Sequence, residues 1–183
     1  VAEQVDAVVG TIRPLADERG LSIKVDVAEM DAMQSDKEKL HQILINLLSN
    51  AQKFTKDGEI GVKARQDGAS IVFTVWDTGI GISEKDMPHI FNEFRQVDGS
   101  TTRQYGGTGL GLAISQRLAL ALGGRIEIES ELGKGTTFTV TLPMMIVAKK
   151  TAVERDAELA SNVMRKWQPS GQPPRILVVE DNA

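Results

Sequence analysis

Four short motifs carry residue types suited to nucleotide chemistry, and they follow one another along the chain. One lies on a predicted amphipathic helix. The other three lie at glycine-rich turns, where backbone N–H groups can approach a ligand closely. Glycine clusters alone often mark only turns, but in combination the motifs predict a pocket for an adenine nucleotide and its magnesium ion. They are NLLSNAQKFT at 46–55, DTGIGI at 77–82, GGTGLGL at 106–112 and GKGTTF at 133–138.

The helical motif offers amide and ammonium groups on one side of a helix. Asn46 and Asn50 are four residues apart and therefore share a face. Magnesium prefers oxygen ligands completed by water and phosphate, so the amide oxygen of Asn50 is the predicted ligand. Lys53 follows on the same side and can meet phosphate as a point charge, while Phe54 packs either on the base or in the core. The alternative is that both asparagines cap or crosslink secondary structure.

The second motif places a carboxylate where a strand ends. An ionised Asp77 only accepts hydrogen bonds. Adenine offers a donor amine where guanine has a carbonyl, so a buried Asp77 would select ATP over GTP. Gly79 and Gly81 would let the backbone approach the base or adopt positive φ. An Asx turn leading into a helix is the competing interpretation of Asp77 alone.

The third motif opens a helix with backbone N–H groups that favour phosphate. No hydrophobic strand directly precedes it, unlike the dinucleotide fingerprint, and it lacks the Lys-Ser/Thr pair of a Walker loop. The polar stretch 95–108 before it suits a mobile lid over ATP. The predicted phosphate-binding residues are Gly107, Thr108, Gly109, Leu110 and Gly111.

Two further predictions concern the lid and the last motif. Arg95, Gln96 and Arg103 could donate to the β or γ phosphate, and solvated surface residues are the alternative for the two arginines. Residues 133–136 predict a tight turn between two strands, mainly a plain hairpin, with Thr136 near the base as a secondary possibility.

Hydrophobic periodicity predicts a two-layer α/β sandwich, with a mixed sheet and helices on one face. Residues 1–20 predict a helix whose apolar positions include Val5 and Leu15, which Pro14 bends or interrupts and Gly20 ends. Asp36 is the predicted cap of the helix bearing the first motif. Further predicted helices cover 83–89 and 110–122, and predicted strands cover 21–27, 59–65 and 70–76 (a hairpin about Asp67 and Gly68), 125–130 and 136–142.

Composition excludes several classes of protein. Among 183 residues, 41% are apolar, and 21 basic against 25 acidic residues give a net charge of −4. Without a basic excess, nucleic acid and anionic membranes are not expected as partners. The sequence has no cysteine, which excludes disulfides and fits a reducing, cytoplasmic compartment. No run reaches transmembrane length. A first residue other than Met predicts a fragment, whose parent could still be membrane-anchored.

The motifs at 46–55, 77–82 and 106–112 resemble the catalytic, ATP-binding domain of sensor histidine kinases, in the GHKL superfamily with gyrase, Hsp90-type chaperones and mismatch-repair ATPases. The resemblance covers about 1–143. It implies that Asn50, with Asn46, handles magnesium and phosphates, that Lys53 supports phosphate and that Asp77 reads adenine. It also implies that IFNEFRQ at 90–96 is the phenylalanine box and 95–108 the ATP lid. Many members carry Arg where this chain has Gln96.

The same resemblance implies a domain order. A helix at 1–20 would follow a missing dimerisation domain, 21–143 would form the ATP-binding catalytic domain, and 144–174 would be a linker containing a possible helix at 154–167 and PSGQPP at 169–174. RILVVEDNA at 175–183 is similar to the first strand of a receiver domain, with Glu180 and Asp181 beginning its acidic pocket.

The chemistry at position 46 favours transfer over hydrolysis. The superfamily's ATP hydrolases carry Glu at this position to activate water, and the amide of Asn46 cannot act as a base. Neither His41 nor His89 stands in the pattern of an acceptor helix, so the expected acceptor is a histidine on the dimerisation domain. A monomeric fragment of a homodimeric parent is expected. The alternatives are an anti-sigma-type serine kinase, whose members keep that Glu, and a non-catalytic ATP-binding scaffold.

Overall fold

The computed structural model describes residues 1–94 and 109–145. Five strands form one sheet in the order β1-β2-β3-β5-β4, with β1 parallel to β2 and every other neighbouring pair antiparallel. The sheet is therefore mixed, as the sequence predicts. The strands are β1 (Ser22–Val27), β2 (Glu59–Asp67), β3 (Ser70–Asp77), β4 (Arg125–Glu131) and β5 (Gly135–Pro143).

Three helices cover one face of this sheet and complete the two-layer sandwich. They are α1 (Ala2–Asp17), α2 (Lys37–Phe54) and α3 (Gly111–Ala121). Strand residues alternate between the layers: Val62 and Ala64 are fully buried in the core, whereas Lys63 is exposed on the other face. The predicted fold class is confirmed.

Helix α2, which bears the first motif, begins where the sequence predicts. The Asp36 carboxylate accepts the backbone N–H groups of Glu38 (3.1 Å) and Lys39 (3.0 Å), which have no partner within the helix. The Lys39 ammonium also contacts the Asp36 carboxylate, and this hydrogen bond lowers the pKa of Asp36. The apolar stripe of α2 is buried along its whole length: Leu40, Ile43, Leu44, Leu47, Leu48 and Ala51.

Helix α1 differs from the prediction in two details. It continues through Pro14 to Asp17, because in the last turn the missing N–H of proline removes only one helical hydrogen bond. Leu15 is 46% exposed, and the fully buried Ala16 takes its place on the core side. Ala16 lies four residues after the buried Ile12, close to one full helical turn, so it falls nearer the centre of the apolar stripe.

Two local predictions were wrong in geometry. The helix predicted at 83–89 is reduced to a 3₁₀ turn at Met87–His89, because Pro88 lacks an N–H and Ser83 Oγ bonds to Asp86 Oδ2 (2.7 Å) in a tight turn. In the hairpin, Asp67 pairs with Ser70, so the loop residues are Gly68 and Ala69 and the turn is one residue later than predicted. Gly68 takes the positive φ there.

Several predictions lie outside the described residues. They are the lid at 95–108 with Arg95, Gln96, Arg103, Gly107 and Thr108, the linker beyond 145 with its helix at 154–167, and the strand at 176–179. Within 1–94 and 109–145, no helix is long and apolar enough to cross a bilayer.

Candidate nucleotide site

Strand β3 ends at Asp77, directly opposite Thr136 of β5. Asp77 Oδ1 accepts the N–H of Gly79 at 2.8 Å, and the Thr136 backbone N–H also donates to this carboxylate. Burial raises the pKa of Asp77 above its ordinary value, and the two N–H donors only partly offset that effect. The Asp77 carboxylate is therefore half-buried at the end of the central strand, and two backbone N–H groups fix its orientation.

The glycines after Asp77 let the loop pack against two other backbone segments. A Cβ on Gly79 would overlap the carbonyl of Phe54, and that carbonyl accepts the Ile80 N–H at 3.2 Å. Gly81 has φ +65°, and a Cβ there would overlap the Glu131 carbonyl. The loop is thus wedged between the C-terminal end of α2 and the β4–β5 turn.

A serine that the motifs do not include joins these segments. Ser130 Oγ accepts the Ile82 N–H at 2.8 Å and lies 2.9 Å from both the Gly135 carbonyl and Thr136 Oγ1. A Cβ on Gly135, which has φ +110°, would overlap the Asp77 carbonyl. We call this group the carboxylate end of the site: Asp77, Gly79, Gly81, Ser130, Gly135 and Thr136.

A second group forms where α2 meets the start of α3. Asn46 Nδ2 donates to the buried Ser115 Oγ at 2.7 Å. Gly111, the first residue of α3, lies so close to the Asn46 amide that a Cβ there would overlap it. Asn50 is half-buried one turn further along α2. We call Asn46, Asn50, Gly111 and Ser115 the amide end of the site.

The last turn of α2 lies between these two ends. The Lys53 ammonium is 4.8 Å from the centroid of the Phe54 ring, and burial lowers the pKa of Lys53. Arg19 donates to the carbonyls of Gln52 (3.1 Å) and Lys53 (3.3 Å), which fall among the last carbonyls of the helix. The Lys53 ammonium therefore lies beside the aromatic face of the adjacent Phe54.

The residues on either side of the predicted lid, up to 94 and from 109 onward, are described by the structure. Gly109 has φ +68°, and Leu110 is the residue that precedes α3. In the phenylalanine-box segment, Phe91 is partly buried against the core, whereas Phe94 is 73% exposed with φ +59°. The Arg117 guanidinium of α3 forms an ion pair with the Glu93 carboxylate, which joins this segment to α3.

The donor set suits a hard cation that shares its ligands with phosphate. Among the described residues, no group of three or more His, Cys, Asp or Glu side chains is placed to hold a metal ion. The oxygen donors on α2 are neutral amides, which add no repulsion beside a polyanionic ligand. The residues present therefore fit magnesium brought in together with nucleotide phosphates, rather than a cation held by protein carboxylates.

The fold, a mixed five-stranded sheet with three helices on one face, defines a class of two-layer α/β domains. The chain belongs to the family described as "Histidine kinase-, DNA gyrase B-, and HSP90-like ATPase", whose model matches residues 35–146.

Sensor kinases are among its relatives. The autoinducer 2 sensor kinase/phosphatase LuxQ of Vibrio cholerae is 40% identical over 191 residues, covering 98% of this chain and 21% of the relative. The circadian input-output histidine kinase CikA of Synechococcus elongatus is 50% identical over 115 residues, 62% of this chain and 15% of the relative. The chain thus spans about a fifth or less of these relatives.

Solved structures agree with this fold. Full-length ShkA in complex with AMPPNP is 36% identical with a TM-score of 0.69, and the match covers 77% of this chain and 29% of that one. The catalytic domain of the histidine kinase ThkA matches with a TM-score of 0.69 over 79% of this chain and 93% of that one; at 24% identity it supports the fold alone.

Proposed function

We propose that this chain is the ATP-binding catalytic region of a hybrid sensor histidine kinase, which transfers the γ-phosphate of ATP to a histidine on a dimerisation domain of the same parent chain. The observation that carries the proposal is the Asp77 carboxylate, half-buried at the end of β3 and oriented by the N–H groups of Gly79 and Thr136. An acceptor fixed in this way favours the amine of adenine over the carbonyl of guanine.

The amide end is the proposed place for the phosphates and the cation. Asn50 would hold Mg²⁺ through its amide oxygen, with Asn46 beside it, and the backbone N–H groups at the start of α3 would meet phosphate oxygens. Bound magnesium supplies charge neutralisation on the transferring phosphoryl group. Lys53, at the end of α2, adds a positive charge toward the same phosphates.

Transfer to a protein acceptor suits this site better than hydrolysis. Asn46 occupies the position where a water-activating base is expected, and an amide cannot take a proton from water. Phosphoryl transfer depends mainly on positioning and charge neutralisation, so a cradle without a base of its own is sufficient. The imidazole of the incoming histidine is itself the nucleophile, and its attack on the γ-phosphorus releases ADP.

The domain order is part of the same proposal. The similarity to LuxQ extends over 98% of the chain, well beyond residues 35–146 of the family match. We infer that 1–20 follows a dimerisation domain, that 144–174 is a linker and that 175–183 begins a receiver domain. The catalytic region would then work in the cytoplasm, as a monomer when isolated and within a homodimer in the parent.

Calorimetric titration with ATP and GTP, with and without Mg²⁺, tests nucleotide recognition. We expect ATP-selective, magnesium-assisted binding, and we expect Asp77→Ala to weaken ATP by about ten- to a hundredfold, since it removes a charged hydrogen-bond partner. Asp67→Ala, at the opposite end of the β2–β3 pair, is the matched control and should bind normally. Equal binding of GTP, or normal ATP binding by Asp77→Ala, would refute the assignment.

Phosphoryl transfer needs a second assay. The chain is mixed with radiolabelled ATP and a separately expressed dimerisation domain of a related hybrid kinase. Label that is acid-labile and base-stable on the added domain is expected for phosphohistidine. ATP binding without transfer to any supplied histidine domain would favour the scaffold alternative, and acid-stable label on a serine would favour the serine-kinase alternative.

A further inference from the structure

Asn46 of the first motif and Ser115, which no motif contains, form a hydrogen bond between α2 and α3. Asn46 Nδ2 donates to Ser115 Oγ at 2.7 Å, and Ser115 is completely buried. The other buried residues of α3 are the apolar Ala113 and Ala119. A lone hydroxyl on the inward face of a helix is costly to bury unless it has a partner, and here Asn46 supplies one.

Gly111 closes the other side of the Asn46 amide. It is the first residue of α3, and a Cβ at this position would overlap Asn46 Oδ1. The amide is therefore held between Gly111 and Ser115, which lie one turn apart on α3. With its N–H bonded to Ser115, the amide has its oxygen on the side of the N-terminus of α3.

This arrangement fixes the distance between α2 and the start of α3, on which the proposed Mg-ATP site depends. Asn50, the proposed magnesium ligand, is one turn along α2 from Asn46, and the proposed phosphate-binding N–H groups are at the start of α3. A nucleotide whose phosphates meet both elements needs them at a constant spacing, because positioning dominates phosphoryl transfer. The Asn46–Ser115 bond joins the two helices at this level.

We propose that Ser115 is a positioning residue of the nucleotide site. It holds the Asn46 amide in one orientation and keeps the magnesium-binding side of α2 in register with the phosphate-binding start of α3. This inference rests on the proposed function, since it assumes that Mg-ATP occupies the amide end. Ser115 is fully buried and bonds to Asn46, so its effect on the nucleotide passes through Asn46.

The first test needs no ligand. In amide NMR spectra of the 183-residue chain, the side-chain N–H₂ signals of Asn46 should shift in Ser115→Ala, while those of Asn50 stay within the range seen for the control Gln116→Ala. Unchanged Asn46 signals would overturn the inference regardless of whether the chain binds ATP.

The second test is a double-mutant cycle on Mg-ATP affinity. Ser115→Ala should weaken Mg-ATP by about two- to tenfold, the effect of one lost hydrogen bond. In an Asn46→Ala background the same substitution should change affinity by less than about twofold, because its partner is gone. Binding of adenosine, which has no phosphates and depends on the base, should be unaffected in Ser115→Ala.

The outcomes separate the two proposals. Equal losses from Ser115→Ala in both backgrounds, or an equal loss for adenosine, would mean that Ser115 only packs the core and would overturn the inference while leaving ATP binding intact. Failure of the wild type to bind ATP at all would overturn the proposed function and this inference with it. If Ser115→Ala unfolds, Ser115→Cys retains the side-chain volume with a weaker acceptor and should show a smaller loss in the same cycle.

Discussion

The two ends of the site are held by different kinds of contact. At the carboxylate end, three segments meet backbone to backbone: Gly79 lies against the Phe54 carbonyl, Gly81 against the Glu131 carbonyl and Gly135 against the Asp77 carbonyl. At the amide end, the side chain of Asn46 on α2 bonds to the Ser115 hydroxyl of α3 and lies against Gly111 of the same helix.

The difference has a physical consequence. Backbone segments in van der Waals contact cannot adjust without moving whole strands, so the carboxylate end is a preformed element that can discriminate between bases. A side-chain hydrogen bond contributes about 1 kcal/mol and can break without unfolding the domain. We therefore expect an added methyl group at the glycines of the carboxylate end to cost stability, and an added methyl group at Gly111 of the amide end to cost ligand affinity.

The largest effect is expected for Gly135→Ala, which tests the carboxylate end. The residue has φ +110°, and the new methyl group would overlap the Asp77 carbonyl. Backbone strain and overpacking together should lower the free energy of unfolding by about 3 kcal/mol or more. Urea denaturation of the unliganded chain measures this loss.

Gly133→Ala is the matched control two residues earlier in the same turn. Its φ is +81°, but an added methyl group meets nothing within 4 Å. A cost of about 1–2 kcal/mol is expected from the left-handed conformation alone. Equal losses for the two variants would show that the contact with Asp77 does not hold the turn in place.

Gly111→Ala makes the same chemical change at the amide end and should have a different result. The atoms that it would displace belong to the flexible amide of Asn46, not to a backbone carbonyl. Alanine suits a helix better than glycine by about 1 kcal/mol, which offsets the loss of the Asn46–Ser115 hydrogen bond. The free energy of unfolding should therefore change by less than about 1 kcal/mol. Affinity for Mg-ATP should fall by about two- to tenfold, because Asn46 loses its place against Ser115. A variant that loses stability but retains affinity would contradict the comparison.

The third prediction concerns pH and the Asp77 carboxylate. Because burial raises its pKa in the folded state, the protonated form favours folding, and the wild type should gain stability relative to Asp77→Asn as the pH falls from neutral through the titration of this carboxyl. At neutral pH the charged form is the costly one, so Asp77→Asn should be at least as stable as the wild type. Urea denaturation at several pH values measures the difference.

The same protonation should act against the ligand. Neutralising Asp77 weakens an acceptor for the adenine amine, so ATP affinity should begin to fall at a higher pH than for an ordinary carboxyl, and Asp77→Asn should lack this component. Asp67→Asn, at an exposed site on β2, controls for a general loss of negative charge. An identical pH dependence of stability in wild type and Asp77→Asn would contradict the proposed burial effect.

The sequence predicts the elements well because their causes are local. The capping carboxylate of Asp36 and the apolar stripe of α2 each act within a few residues, and both are confirmed. Strands β2 and β3 form where alternation predicts them, although 60–62 and 71–73 are each buried without a break. The differences are also local: Pro14 falls too near the end of α1 to interrupt it, and the short helix predicted at 83–89 forms only one 3₁₀ turn around Pro88.

Contacts between distant residues could not be predicted in this way. Ser115 bonds to an asparagine 69 residues earlier, and Ser130 bonds to a backbone N–H 48 residues earlier. Serine is common in turns and on surfaces, so neither residue differs from its neighbours until the sheet and helices are assembled. Only the assembled tertiary fold places the hydroxyls of Ser115 and Ser130 within the candidate site.

The smallest effect is expected for Arg19→Ala, which tests whether the last turn of α2 supports the carboxylate end. Arg19 donates to the Gln52 and Lys53 carbonyls, and Gln52 Nε2 donates to the Leu15 carbonyl at 3.2 Å, so the end of α1 is tied to the end of α2. Loss of the Arg19 bonds should cost about 0.5 kcal/mol and raise hydrogen exchange at the Thr55 amide, which bonds to the Ala51 carbonyl. Arg13→Ala, on an exposed position of α1, should leave this exchange unchanged.

The Phe54 carbonyl packs against Gly79, so the end of α2 contacts the carboxylate end. Faster hydrogen exchange at Thr55 with unchanged ATP affinity would show that the strands alone maintain the geometry of the carboxylate end. A loss of ATP affinity in Arg19→Ala as large as that in Gly111→Ala would mean that α2 transmits strain between the carboxylate end and the amide end. The two ends would then not be independent.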